Sequence, residues 1–170
     1  WGGHRDEALL HALRLERTLG QLVDPDGTHR ERIGEGFKVT KKSRKAVKWL
    51  QKYKEFPTRY FDRYGPLPLG RFQRPPADVE RERTPHLFGG RRLLIKRGIT
   101  QKEGADGRIV ARMEIAPFCF RHSIHCFGLA HVSEDDAKTV LGIVWSSLAR
   151  YYLWITSGSW GMWHHELRVD

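Results

Sequence analysis

Cysteine is scarce in this chain. Among its 170 residues there are two, Cys119 and Cys126, too few for a disulfide framework and without a secretory context around them. Long apolar runs are also missing. None approaches the ~18 residues of a membrane span, and the N-terminus does not have the pattern of a signal peptide. The expectation is a cytoplasmic protein with no membrane partner. Catalytic signatures are absent as well: there is no nucleophile elbow, Walker loop or dinucleotide fingerprint, and Gly34-Glu35-Gly36 is too short to stand for one. The chain opens on Trp1 without an initiator methionine and stops at Asp170, which reads as a piece of a longer protein. That piece is expected to catalyse nothing itself and to carry no cofactor of its own.

What the chain does have is positive charge. It carries 30 Lys+Arg against 20 Asp+Glu, a net of +10. The excess is localised: residues 38–59 hold a net +8 and residues 91–121 a net +5, between flanks that are neutral or acidic. A concentrated positive field suits a polyanion, because each neutralised phosphate releases condensed counterions. The plainer alternative is a lysine-rich solvated face. Acidic lipid fits less well, since the basic run has no amphipathic helical stripe.

At 39% hydrophobic and 29% charged residues, the composition is that of one globular domain spanning residues 1–170. A chain of this length buries roughly 70% of its unfolded surface. The pattern predicts an α+β fold: a mostly antiparallel sheet, an N-terminal helix, a long buried C-terminal helix and a loop-rich middle. Residues 6–19 read as the first helix, with Leu9, Leu10 and Leu13 on one side and Gly20 ending it. Residues 40–64 mix lysines with aromatics, and helix and irregular structure compete there. Five prolines between residues 66 and 85 predict an extended surface loop. Strands are expected over 92–97, 108–115 (half-buried, by its alternation) and 118–127. The long helix is expected over 133–155. Ser133 is its N-cap, three acids sit at its positive end, and Ala137, Val140, Leu141, Val144, Leu148, Tyr151 and Tyr152 fall at three-and-four spacing.

Three chemistries compete with plainer readings. Cys119, His122, His125 and Cys126 resemble a ligand set, but on one strand Cys119 and His125 would face away from His122 and Cys126. Ordinary strand packing is the expected outcome. Glu103, Asp106 and Glu114 with Arg112 match a nuclease centre only loosely. Basic residues interleaved with aromatics remain. Arg and Lys contact phosphates, and an arginine fork reads guanine. The candidates are Lys41, Lys42, Arg44, Lys45, Lys48, Arg91, Arg92, Lys96 and Arg97, each also readable as solvated surface.

One resemblance adds to this. The run Arg91-Arg92-Leu93-Leu94-Ile95-Lys96-Arg97-Gly98, then Gly107-Arg108-Ile109-Val110-Ala111, then Phe120 to Ser123, resembles the C-terminal specificity region of TaqI-like N6-adenine DNA methyltransferases. So do the pattern of Leu141, Ser146, Ser147, Leu148, Tyr151 and Tyr152, and the segment Thr156-Ser157-Gly158-Ser159-Trp160-Gly161 that follows it. The likeness runs over residues 87–170, and its most specific part adds Ser159 and Trp160 to the DNA-contacting candidates. In that family an N-terminal domain binds S-adenosylmethionine and carries an (Asn/Asp)-Pro-Pro-aromatic motif. Here the Pro75-Pro76 pair follows Arg74 and precedes Ala77. The resemblance therefore implies a target recognition domain without its catalytic partner: a binder of double-stranded DNA from a restriction-modification enzyme. S-adenosylmethionine would belong to an N-terminal methyltransferase domain of the same parent chain. The alternatives are an interaction module that docks on a methyltransferase or other subunit and binds nucleic acid without sequence preference, and a nuclease fragment.

Overall fold

The structure is a computed structural model and describes residues 3–14, 16–62, 64–97 and 109–156. Within them the chain is α+β. Its main sheet has four antiparallel strands, β1 (Ile33–Glu35), β4 (Arg92–Lys96), β5 (Ala111–Glu114) and β6 (Ile124–Gly128), in the order β1-β6-β4-β5. A two-stranded ribbon pairs β2 (Lys45–Ala46) with β3 (Asp78–Val79). The connection between β4 and β5 contains residues 98–108, so the turn expected at 104–107 and the start of the 108–115 strand lie outside the described residues.

Both faces of the sheet are covered, and side-chain alternation decides which residue serves which face. Leu94, Ile124 and Cys126 join Phe37, Leu50, Phe56, Val79, Phe88, Phe118 and Phe120 in one apolar cluster. Leu93, Ile95, Ala111 and Phe127 join Val23, Leu129 and Ala137 in the other. The first cluster is closed by short 3-10 turns and loops of residues 47–88, which settles the competition over residues 40–64 in favour of irregular structure. The second is closed by helices. Pro75 and Val79 are buried, so the proline-rich loop is anchored in the core as well as passing over the surface.

Three expectations about the sheet and the C-terminal helix need correction, and a fourth concerns the N-terminus. The half-buried 108–115 strand has no solvated face in β5, where Arg112 and Glu114 form a buried ion pair (2.6 Å) and Arg112 also donates to the Gly65 carbonyl (3.1 Å). The 118–127 strand is shorter than its apolar signal. Phe118 and Cys119 pair with the Phe88 and Lys54 carbonyls, a turn follows at Arg121, and β6 begins only at Ile124. The long buried helix is two helices, α3 (Glu134–Trp145) and α4 (Ser147–Thr156), and Ala137 is the buried residue of α3. Ser146 breaks it: at ψ 159° its backbone leaves the helix, while its hydroxyl donates to the Ile143 carbonyl and accepts from the Ala149 amide. A residue that satisfies both a helix end and a helix start makes the break inexpensive. Ile143 and Leu148 on either side of it are exposed.

At the N-terminus, helix α1 (His4–Arg14) stops before residue 19 and buries no residue. Helix α2 (Leu19–Val23) starts afresh from a capping box between Thr18 and Gln21, with Gly20 inside it.

Candidate nucleic-acid interface

The five residues of β4 span roughly 17 Å at the rise of an extended chain. Its basic residues therefore lie at two separate ends. At the first end, Arg92 is a correction to the candidate set. It is fully buried, donates to the carbonyls of Gly90 (2.9 Å) and Ala116 (2.7 Å), and lies over the Phe118 ring at 4.6 Å. It holds the loops around the sheet and presents nothing to a partner. Its neighbour Arg91 donates to the Val132 carbonyl (2.6 Å), just ahead of the α3 N-terminus.

The other end of β4 is where charge gathers. Here Glu35, at the end of β1, receives three guanidiniums: Arg83 at 2.5 Å, Arg97 at 3.5 Å, and Arg81. One carboxylate is thus shared by three guanidiniums. The supply of these arginines follows from alternation along residues 80–83. Glu80 pairs with Lys38 (2.9 Å) and Glu82 with Lys45, while Arg81 and Arg83 turn to Glu35. The backbone bridge between Lys38 and Arg81 holds the register. The lysine segment and the far end of β4 are thus joined through residues 80–83. The basic patch is continuous over Lys38, Lys45, Arg81, Arg83 and Arg97.

In the lysine segment itself, Lys41, Lys42 and Lys48 are exposed, and Arg44 has its guanidinium on the carbonyls of Lys41 and Ser43. Lys96 is half-buried. Ser159 and Trp160 lie outside the described residues.

A second arginine–carboxylate device stands on the turn between Phe120 and β6. Glu55 is 1% exposed and accepts from Nε of Arg121 at 2.6 Å, while Arg121 itself is 42% exposed. Phe37 bridges to Arg121, which places the device beside Lys38. Next along the turn, Ser123 shares a hydrogen bond with Thr58 (2.7 Å), and its carbonyl accepts from the Arg97 amide (2.8 Å). His122 sits in the field of Glu35, Arg97, Lys38 and Arg81. Burial holds its pKa below the ordinary 6.5, Glu35 opposes that, and the cations reinforce it.

Arg81, Arg83 and Arg121 do not stand out in the sequence. The first two occupy a nearly neutral stretch, and only long-range bridges bring them to the sheet end. The cysteine-histidine set divides differently from the single-strand expectation. Cys119 and Cys126 share one apolar cluster, and burial pushes both thiols up to about 12. Among the described residues no three His, Cys, Asp or Glu side chains gather as a metal site. Of the loose nuclease set, Glu114 and Arg112 are paired with each other, and Glu103 and Asp106 lie outside the described residues. Also among the described residues, no helix is long and apolar enough to cross a membrane.

Comparison with family models, with curated proteins and with solved structures returns no match to this chain.

Proposed function

We propose that this chain is the sequence-specific double-stranded DNA recognition domain of an S-adenosylmethionine-dependent N6-adenine methyltransferase, part of a cytoplasmic restriction-modification system. The observation that carries the reading is the cationic sheet end, with the guanidiniums of Arg81, Arg83 and Arg97 held on Glu35, and the lysine segment, with exposed Lys41, Lys42 and Lys48, tied to it by the Lys38–Arg81 bridge. Exposed lysines supply sequence-independent attraction to phosphate, and arginines fixed by carboxylates supply orientation. The division of labour is physically reasonable. A methyltransferase takes its adenine out of the stack at a cost of a few kcal/mol. A separate surface must hold the duplex in register meanwhile. Exposed Ile143 and Leu148 at the α3–α4 break support contact with a methyltransferase domain as a second role.

The test is selection from a randomised duplex library, followed by titration of the selected and scrambled duplexes over a range of salt. The expected result is a selected sequence bound at least about tenfold more tightly, with affinity for both duplexes falling as salt rises. Equal affinity at every salt concentration refutes base reading by this domain.

A further inference from the structure

We infer that Arg121 is a base-reading side chain, which Glu55 holds so that its Nη1/Nη2 edge meets a guanine in the DNA major groove. This rests on the DNA-recognition reading above and names one contact within it. Three observations carry it. Glu55 is 1% exposed, and its Oε1 accepts from Arg121 Nε at 2.6 Å, so the arginine is anchored on a carboxylate that is itself held inside the fold. Among the described residues no group accepts a hydrogen bond from the η nitrogens of Arg121, and the residue is 42% exposed. The side chain also stands on a turn beside Lys38, at the cationic end of the sheet.

The chemistry separates this arginine from a phosphate ligand. Paired with Glu55 it is electrically close to neutral, so it adds little to the attraction of a polyanion. Exposed Lys41, Lys42 and Lys48 provide that attraction without a buried carboxylate behind them. What the pairing does provide is a fixed plane. With Nε engaged inward, the opposite edge of the guanidinium offers two parallel N–H donors, the pattern that matches guanine O6 and N7. Fixing the fork in advance also removes much of the rotamer entropy that a free arginine loses on binding.

The experiment starts from the duplex selected by the full chain. A guanine in that duplex is replaced by 7-deazaguanine, which keeps base pairing and deletes the N7 acceptor. The wild-type chain is expected to lose about tenfold in affinity at one such position. Arg121→Lys, which keeps the charge, is expected to lose its preference for guanine at that position and to be indifferent to the deaza substitution. Because a change at Arg121 strands Glu55, the double variant Glu55→Gln/Arg121→Gln provides a second check, and the wild-type measurement needs no variant. If Arg121→Lys weakens all duplexes equally, or no deaza position matters, the guanine contact is overturned while DNA recognition stands. If the chain selects and binds no duplex, the function proposed above falls and this inference falls with it.

Discussion

Glu35 concentrates three arginines, so its carboxylate stabilises the fold as well as organising the surface. Glu35→Gln keeps the shape but removes the charge that holds Arg81, Arg83 and Arg97 together. The variant should lose about 1–3 kcal/mol of stability, read as a lower urea midpoint at unchanged slope. His122 nearby makes the patch pH-dependent. Its folded pKa is depressed below 6.5, chiefly by burial, so the unfolded chain binds the proton more readily. Its contribution to stability is therefore complete above the unfolded value of 6.5 and is lost as pH falls through the lower folded value. His122→Asn should flatten the acid side of the stability profile in denaturant titrations between about pH 5 and pH 8. Gly36 shows a different kind of constraint. A Cβ there would stand 2.0 Å from the Phe120 carbonyl oxygen, which is backbone and has nowhere to go. Gly36→Ala should cost at least about 3 kcal/mol, visible as a large drop in Tm.

Among the elements, the α3–α4 break shows what hydrophobic periodicity can and cannot report. Apolar spacing over residues 133–145 marks the side of α3 that meets the sheet, where Val140, Leu141 and Val144 pack, but past the break it selects Leu148, which is exposed, while Ala149 and Leu153 do the packing. The single non-helical residue Ser146 shifts the phase of the second helix, and an apolar pattern read straight through it cannot report that shift. The signal for the break is chemical: a serine able to bond in both directions. Ser146→Ala should cost about 1 kcal/mol through removal of the cap on α4, with reduced amide-exchange protection at Ala149 as the local readout. Strand β4 is legible to within a residue because a short apolar run between arginines has few other uses. The start of β6 is not. Phe118 to Phe120 give the same apolar signal while pairing with loops, and only the tertiary partner separates the two cases. The candidate interface follows the same rule. The lysines of residues 41–48 form a run and can be read directly, whereas Arg81, Arg83 and Arg121 arrive through the bridges Lys38–Arg81 and Phe37–Arg121.

For the molecule as a whole, the DNA binding proposed above would depend on charge. Replacing Lys41, Lys42 and Lys48 together by glutamine should weaken binding to every duplex alike. It should also shrink the slope of log affinity against log salt by about 0.9 for each phosphate that is no longer neutralised, as fluorescence anisotropy at several salt concentrations would measure. A change at Glu35 should instead disturb the selected duplex most. The sheet imposes a coupling of another sort. Leu93 and Ile95 belong to the helix-side cluster and Leu94, between them, to the loop-side cluster. One ribbon of five residues thus serves as the shared wall of two interiors. Neither interior can melt and leave its neighbour standing, so a calorimeter should register one heat-absorption peak whose van't Hoff and calorimetric enthalpies agree.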